Sequence, residues 1–295
     1  MTSSRASAIA FGATIALLAE RQPLEFSIDW VNTPKAGWST ILQHRTFQSQ
    51  RMKREVGYSI FLPPDYETSG RRYPVIYWLH GAGGNEISGA RIAEHLKQAI
   101  ASGQARPVIM VFPNGGRKTE YRDWPEQNVL PESMIIHELI PYIDATYRTE
   151  ATPRSRAIEG MSMGGNGALK LAFKYPELFG SVVAYAGSYK RLPLDGYFAG
   201  VAAEQQAWIA KLSQWYSPDD DVFELAKKNG GRMGQLRIRF IVGTKDISMD
   251  DAEALHAWLK SLGLPHEYEI LLGVAHDSET YYRKAGVRGF QFHAE

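Results

Sequence analysis

The stretch Arg156-Ala-Ile-Glu-Gly-Met-Ser-Met-Gly-Gly165 decides the fold, because it joins a short β-strand, a tight turn and the start of a helix. Its first four residues predict a strand, and Asn166–Tyr175 predicts a helix. The turn has the pattern Gly-x-Ser-x-Gly, in which Ser162 lies two residues from Gly160 and from Gly164. In a strained strand-to-helix turn, a Cβ at either glycine would collide with a neighbouring strand or helix. The pattern therefore predicts that Ser162 is a nucleophile held above the edge of a sheet.

A serine hydroxyl becomes a useful nucleophile only when a base removes its proton, so Ser162 requires a histidine and a carboxylate. Where a serine occupies such a turn, the acid and then the histidine follow it along the chain, at the carboxyl ends of later strands. Asp246 follows the predicted strand Leu236–Val242, and His276 follows the predicted strand His266–Leu272. Order and placement therefore predict Asp246 and His276 as the partners of Ser162.

Other acidic and histidine residues fit these two positions less well. Asp250 and Asp251 suit the first turn of a helix that starts at Met249, where the helix dipole favours negative charge. Asp277 is better explained as the start of the last helix. Of the eight histidines, only His276 lies in a loop that follows a late strand.

A second glycine-rich loop, His80-Gly81-Ala82-Gly83-Gly84, follows another predicted strand. Acyl transfer places negative charge on a carbonyl oxygen, and backbone N–H groups that point at this oxygen stabilise it. Glycine lets such amides approach a substrate. The amide of Met163, the residue after the serine, is one predicted donor to this oxyanion hole, and Gly81 or Ala82 supplies the other. His80 is expected to hold the loop by a hydrogen bond rather than to take part in the chemistry.

Strands and helices alternate along most of the chain, which predicts an α/β fold with a mostly parallel central sheet and helices on both faces. Short apolar runs predict strands buried on both faces at Val75–Leu79, Val108–Phe112, Val182–Ala186 and Leu236–Val242. Helices are predicted at Ile87–Ser102, Pro131–Tyr147, Met163–Tyr175 and Met249–Leu262. An antiparallel strand pair is predicted at the N-terminal end of the sheet, from Leu42–Ser49 and Glu55–Leu62.

No repeat or low-complexity linker divides residues 23–295, so they are predicted to form one catalytic domain. The segment at about residues 188–234 is too long for an ordinary connection and suits a lid or a binding loop. Its aromatic residues are Tyr197, Phe198, Trp208, Trp215 and Tyr216. The alternative is a surface insertion whose aromatic side chains pack on each other.

Residues 1–22 are predicted to be a signal peptide or another N-terminal extension. Ala6–Ala19 is uncharged and mostly apolar, as in a secretory signal, although Leu17 stands where a small residue is preferred for cleavage after Ala19. The alternative is a short N-terminal helix. The protein is expected to be secreted or periplasmic if the segment is a signal, and cytoplasmic otherwise. No membrane span is expected, because no run reaches roughly 18 apolar residues.

Composition excludes several classes of function. The chain has 33 Lys and Arg against 32 Asp and Glu, for a formal net charge of +1. Without a clustered basic face, nucleic-acid binding is not expected. The absence of cysteine excludes disulfides, thiolate metal sites and thiol nucleophiles. The predicted site requires no metal or organic cofactor, the expected partner is a small-molecule ester, and the oligomeric state is left open.

With these motifs the chain resembles the esterase family of α/β-hydrolases that includes esterase D, feruloyl and acetylxylan esterases of carbohydrate esterase family 1, and the mycolyltransferases. The resemblance extends from about Leu42 to the C-terminus. It rests on the segments Tyr58–Tyr66, Tyr73–Gly81, Arg156–Gly165 and Gly273–His276. It implies an α/β-hydrolase fold, with Ser162 as the nucleophile and Asp246 and His276 as its partners. It also implies that the Met163 amide lies in the oxyanion hole.

The resemblance further implies that the loop Arg122–Pro125 borders an acyl pocket. Trp124 is a candidate to stack on an aromatic acyl group, and the alternative is that it caps the core. Trp215, in the predicted insertion, is a second candidate for substrate contact.

Together these features predict a serine carboxylic-ester hydrolase that works through an acyl-enzyme on Ser162. Acetyl, feruloyl and other small acyl esters are the expected substrates, including esters derived from plant cell walls. An acyltransferase or a thioesterase similar to the S-formylglutathione hydrolases could use the same three residues. A non-catalytic binding protein is disfavoured, because such proteins usually lack one of the three.

Overall fold

The computed structural model describes residues 25–189, 206–207, 210–211, 214–215 and 217–295. Within this part of the chain, eight strands form one sheet. In chain order they are β1 (Leu42–Ser49), β2 (Arg54–Phe61), β3 (Val75–Leu79), β4 (Ile109–Pro113), β5 (Arg156–Met161), β6 (Ser181–Tyr185), β7 (Arg237–Gly243) and β8 (Glu267–Leu271). Across the sheet the order is β1-β2-β4-β3-β5-β6-β7-β8.

The sheet is parallel apart from its N-terminal strands. β2 runs antiparallel to both of its neighbours, β1 and β4, and the remaining neighbours pair in parallel. In β3, Val75, Tyr77 and Leu79 pack on one face of the sheet, whereas Ile76 and Trp78 pack on the other, and all five are buried. The strand is apolar throughout because both faces are covered. The predicted sheet, with its antiparallel N-terminal pair, is confirmed.

Helices cover both faces of this sheet. They are α1 (Tyr66–Ser69), α2 (Ala90–Ala101), α3 (Pro131–Met134), α4 (Ile140–Thr146), α5 (Met163–Lys174), α6 (Val222–Asn229), α7 (Met249–Ser261), α8 (Ser278–Tyr281) and α9 (Val287–Ala294). Helices α3 to α7 pack on one face, and α2, α8 and α9 pack on the other. Among the described residues, no helix has the length and apolar character needed to cross a membrane.

The helix predicted at Pro131–Tyr147 contains a wider turn that the sequence pattern did not indicate. A π-helical segment, Ile135–Leu139, joins α3 to α4. Pro141 follows this segment at the start of α4. Proline has no N–H to donate, and its ring crowds the carbonyl four residues earlier. A π turn at this place accommodates the proline without breaking the helix.

Part of the segment predicted as a lid is an ordinary connection between strands. Helix α6 lies in it and buries Val222, Phe223, Leu225 and Ala226 in the main core. A helix with one buried face is the usual crossover between parallel strands such as β6 and β7. The part of the predicted 188–234 segment that forms α6 thus packs on the core, and the lid stays a prediction. The aromatic residues Tyr197, Phe198, Trp208 and Tyr216, and the predicted signal Ala6–Ala19, lie outside the described residues.

Candidate active site

Ser162 occupies the turn between β5 and α5 in a backbone conformation that non-glycine residues rarely adopt, with φ 60° and ψ −121°. A Cβ on Gly160 would lie 2.4 Å from the Gly164 carbonyl oxygen, and a Cβ on Gly164 would lie 1.9 Å from that of Leu79. The Ser162 amide donates to the Tyr185 carbonyl at 2.9 Å. Glycine at both flanking positions thus permits the close approach of β3, β5 and α5 that holds the serine in its strained turn.

The side chain of Ser162 meets those of His276 and Asp246. Ser162 Oγ lies 2.9 Å from His276 Nε2, and His276 Nδ1 lies 3.0 Å and 2.9 Å from the two carboxylate oxygens of Asp246. Because an ionised carboxylate only accepts hydrogen bonds, His276 Nδ1 carries the ring proton and Nε2 is left to accept from the hydroxyl. The structure therefore brings the three predicted residues into one hydrogen-bonded chain.

Asp246 and His276 lie on loops that follow β7 and β8, and these two loops are joined. The Lys245 amide donates to the Val274 carbonyl at 2.9 Å. A Cβ on Gly243 would lie 2.2 Å from the same carbonyl oxygen, so glycine is required where the loops meet. The contact fixes the loop that carries the carboxylate relative to the loop that carries the imidazole.

The carboxylate of Asp246 is buried and held from several sides. Ser248 donates to Oδ1 from its amide at 2.9 Å and from its hydroxyl at 2.6 Å, and the Tyr281 hydroxyl donates to Oδ2 at 2.8 Å. Burial disfavours the charged form, but hydrogen bonds from His276 and Ser248 outweigh it, and the pKa of Asp246 is lowered. Sequence reasoning missed Ser248 and Tyr281. The spacing of Ser248 from Asp246 suits a local Asx turn, whereas Tyr281 has no local pattern that would indicate its contact.

The loop after β3 lies beside the serine. A Cβ on Gly81 would be 3.5 Å from the serine Cβ. The amides of Gly83 and Gly84 donate to backbone carbonyls at 2.6 Å and 3.0 Å. Within the described part of the chain, by contrast, no acceptor reaches the amides of Gly81, Ala82 and Met163. All three predicted donors thus remain available to an oxygen beside the serine, and the choice between Gly81 and Ala82 stays open.

His80 holds this loop in place. Its Nδ1 donates to the Gly81 carbonyl at 2.9 Å, and its Nε2 accepts from the Gly115 amide at 3.2 Å. The Tyr121 hydroxyl donates to the His80 carbonyl at 3.0 Å. Burial lowers the pKa of His80 to about 4, against the opposing effect of the Gly81 carbonyl. His80 is therefore a neutral group that braces the loop, as the sequence suggested.

The two tryptophans predicted to contact substrate lie next to each other. Trp124 is 1% exposed, and its indole N–H donates to the Thr119 carbonyl at 3.0 Å. Its ring centroid lies 6.0 Å from that of Trp215 and 4.2 Å from the Arg122 guanidinium carbon. Trp215 is partly buried against the same core. The burial of Trp124 favours the alternative that it caps the core, and substrate contact by Trp215 stays a prediction.

What the site can do chemically follows from these groups. A hydroxyl beside an acceptor nitrogen can attack an electrophilic carbon, and backbone amides next to it can bind an oxygen that becomes negative. Among the residues that the structure describes, no group of three or more His, Asp or Glu is placed to hold a metal ion.

A model of the protein family described as "Putative esterase" matches residues 49–290. The chain belongs to this esterase family. The match includes both glycine-rich loops and the three hydrogen-bonded residues Ser162, Asp246 and His276. The resemblance noted from the sequence motifs is thereby confirmed.

One similar protein is much longer than the segment that matches it. An esterase of Mycobacterium tuberculosis (strain CDC 1551 / Oshkosh) is 38% identical over 149 residues, which cover 50% of this chain and 32% of the relative. The matching part thus spans about a third of that relative's length.

Two solved structures cover nearly the whole fold. A ferulic acid esterase has a TM-score of 0.73 at 24% identity and covers 85% of this chain and 96% of its own. An S-formylglutathione hydrolase from Agrobacterium tumefaciens has a TM-score of 0.67 at 18% identity. The match covers 91% of this chain and 99% of the hydrolase. These likenesses confirm the α/β-hydrolase fold.

Proposed function

We propose that the protein is a carboxylesterase that works through an acyl-enzyme on Ser162. The observation that carries this proposal is the hydrogen-bonded chain from Ser162 Oγ through His276 to Asp246. The strained turn that presents the serine supports the same chemistry, as do the neighbouring amides, which have no acceptor in the part of the chain that the structure describes. Membership of the esterase family supports the choice of an ester as substrate.

In the acylation step, Ser162 Oγ attacks the carbonyl carbon of the ester while His276 Nε2 takes the hydroxyl proton. The carbonyl oxygen becomes negative and is stabilised by the amides of Met163 and of Gly81 or Ala82. The tetrahedral intermediate then collapses, the bond to the alcohol oxygen breaks, and His276 gives its proton to the leaving alcohol.

In the deacylation step, a water molecule repeats the attack on the acyl-enzyme. His276 takes a proton from water, the same amides hold the second oxyanion, and the proton returns to Ser162 Oγ as the acid leaves. Asp246 is charged throughout this cycle and stabilises the imidazolium that forms in each step. Its buried, hydrogen-bonded carboxylate keeps the imidazole in the tautomer that the first step requires.

The substrate is proposed to be an ester of a small acyl group, such as an acetyl or feruloyl ester, including esters derived from plant cell walls. The structural likeness to a ferulic acid esterase supports this choice. The likeness to an S-formylglutathione hydrolase supports a thioester as the second candidate, since the same acyl-enzyme chemistry would cleave it. Comparing kcat/KM for acetyl, butyryl and feruloyl esters and for S-formylglutathione would decide between them. Product analysis with an added polyol would detect acyl transfer.

The mechanism is tested by rapid mixing of the enzyme with p-nitrophenyl acetate. We expect a burst of nitrophenolate in amount equal to the enzyme, followed by a slower steady rate, because the acyl-enzyme accumulates. Ser162→Ala should abolish the burst. A fluorophosphonate should label the wild-type protein on the tryptic peptide that contains Ser162, and not label Ser162→Ala. Hydrolysis by Ser162→Ala at the wild-type rate, or labelling of a different residue, would overturn the proposal.

A further inference from the structure

A buried lysine contacts a turn that is hydrogen-bonded to the loop after β3. Lys170 is on α5, the helix that begins directly after the serine, and it is 1% exposed. Its ammonium group donates to the carbonyl of Glu120 at 3.0 Å and to the carbonyl of Tyr121 at 2.6 Å. A buried ammonium is costly unless its hydrogens are used, so these two contacts are strongly favoured.

The two carbonyls belong to a strained turn. Glu120 and Tyr121 have φ values of 56° and 51°, a left-handed conformation that side chains with a Cβ disfavour. Two such residues in succession persist only where neighbouring groups hold them. Lys170 binds both carbonyls at once, and the Thr119 hydroxyl accepts from the Tyr121 amide at 3.2 Å, so the lysine is one of the groups that stabilise this turn.

Tyr121 connects the strained turn to the loop after β3. Its hydroxyl donates to the His80 carbonyl at 3.0 Å, and the residue is fully buried. Its ring fills the space beside two glycines, since a Cβ on Gly115 or Gly167 would lie 2.1 Å or 2.6 Å from ring atoms. The ring fits this space only with the present backbone conformation, so a change in the backbone at Tyr121 would move the hydroxyl relative to the loop.

Acidic residues offset the charge of the lysine. Asp220 Oδ1 and Glu132 Oε2 each lie 3.6 Å from the Lys170 nitrogen. Burial lowers the pKa of Lys170, and these two carboxylates oppose that effect. Lys174, one turn further along α5, lies 2.7 Å from Glu132 Oε1 and 3.6 Å from Asp220 Oδ1. Lys174 is partly exposed and therefore provides a matched control for the buried lysine.

We propose that Lys170 is a positioning residue for the oxyanion hole, acting through the Glu120–Tyr121 turn and the Tyr121 hydroxyl on the peptide that precedes Gly81. Without its ammonium group, the strained turn relaxes, the hydroxyl leaves the His80 carbonyl, and the adjoining amides shift from the position of the oxyanion. The inference rests on the proposed esterase function, because the hole matters only if an oxyanion forms.

The test compares Lys170→Met with Lys174→Met on p-nitrophenyl acetate. Misplaced oxyanion donors act on the transition state, so Lys170→Met should lower kcat by about 10- to 100-fold with KM changed by less than about threefold. Affinity for a boronic acid that forms a tetrahedral adduct on the serine should fall by a similar factor. Lys174→Met should retain kcat and boronic acid affinity within about twofold, because the contacts of Lys174 are to Glu132 and Asp220 rather than to the turn.

Tyr121→Phe is the second variant, and it tests the positioning of the oxyanion hole if Lys170→Met does not fold. It removes only the hydroxyl that reaches His80, and it should lower kcat and boronic acid affinity together, with KM nearly unchanged. Wild-type kcat and affinity in folded Tyr121→Phe, or in folded Lys170→Met, would overturn the inference. If either variant gives this result while Ser162→Ala still lacks the burst, only the role of Lys170 is rejected, and the proposed esterase function is unaffected. Unchanged activity in Ser162→Ala would instead reject that function.

Discussion

Among the residues that the structure describes, two sets of serine, histidine and carboxylate are hydrogen-bonded, and a comparison of the two suggests what a catalytic serine requires. The buried set consists of Ser181, His293 and Glu159. Ser181 Oγ lies 2.7 Å from His293 Nδ1, and His293 Nε2 lies 3.2 Å from Glu159 Oε2. Since the carboxylate only accepts, His293 donates to Glu159 and accepts from Ser181. The order of donors and acceptors is the same as in the set of Ser162, His276 and Asp246.

The two sets differ in their exposure to solvent and in the backbone conformation at the serine. Ser181, His293 and Glu159 are 2%, 6% and 0% exposed, whereas the His276 side chain is 31% exposed. Ser181 begins the regular strand β6, while Ser162 occupies a strained turn beside amides for which the described residues supply no acceptor. The buried set joins α9 to β5 and β6, and a substrate cannot reach it. We therefore expect three such residues in hydrogen-bond contact to be insufficient for catalysis without access, a protruding serine and an oxyanion hole.

Alanine in place of each serine gives the largest expected contrast. Ser162→Ala should lower kcat/KM for p-nitrophenyl acetate by about 10⁴- to 10⁶-fold, because the nucleophile is lost. Ser181→Ala should keep kcat/KM within about twofold and lower the free energy of unfolding by about 1–2 kcal/mol, through a lost buried hydrogen bond. Steady-state kinetics and urea unfolding measure the two effects. A large loss of activity in a well-folded Ser181→Ala would break the comparison.

Replacing the carboxylate of each set should also lower activity in the exposed set and not in the buried set. Asp246→Asn should lower kcat by about 10³- to 10⁴-fold, because the amide favours the wrong tautomer of His276. Glu159→Gln should leave kcat near the wild-type value and lower the free energy of unfolding by about 1–3 kcal/mol, because buried donors lose a charged acceptor. Circular dichroism at the assay temperature confirms that both variants are folded. Comparable activity losses in the two variants would argue against assigning catalysis to only one set.

Two adjacent tyrosines offer a finer comparison. The Tyr281 hydroxyl donates to Asp246 at 2.8 Å, and the Tyr282 hydroxyl donates to Glu159 at 2.8 Å. Tyr281→Phe should lower kcat by about 5- to 10-fold, because one neutral hydrogen bond to the carboxylate contributes about 1 kcal/mol. Tyr282→Phe should leave kcat unchanged within about twofold, and both variants should lose similar stability. Equal kcat values in the two variants would show that Tyr281 has no influence on the site.

The smallest expected effect is a change of stability with pH. The pKa of Asp246 is lowered in the folded state, so its ionised form adds stability above the unfolded carboxyl pKa of about 3.9. This contribution is lost as pH falls through the folded pKa. The difference in unfolding free energy between wild type and Asp246→Asn should therefore be constant near neutral pH and decrease below about pH 4. Ser162→Ala retains Asp246 and should follow the wild type, and a difference that does not vary with pH would contradict the assignment.

Much of the fold and of the candidate site could be predicted because it depends on local patterns. The apolar runs that became β3, β4, β6 and β7 are short and bounded by glycine or proline, and strands covered on both faces are expected to be mostly apolar. Gly160 and Gly164 could be identified as necessary because the strained turn that requires them lies within five residues. Asp246 and His276 were found through their order along the chain and their position after strands.

Other features could not be predicted, because they are contacts between residues far apart in the chain. Lys170 lies in an otherwise ordinary helix, and only packing brings its ammonium group to Tyr121. Helix α6 was included in the predicted lid because the length of a segment does not show which of its faces will be buried. The role of Trp124 was equally open until its burial showed that it packs in the core.

The sequence by itself determined which serine could be held in a strained turn, because backbone strain depends on the few glycines next to it. It also determined the alternation of strands and helices, because each element is specified by its own apolar period. The tertiary structure alone decided that Ser162 is accessible, whereas Ser181 is buried against α9. Exposure and hydrogen bonding between distant side chains depend on how the whole sheet and its helices pack, and no local stretch of sequence contains that information.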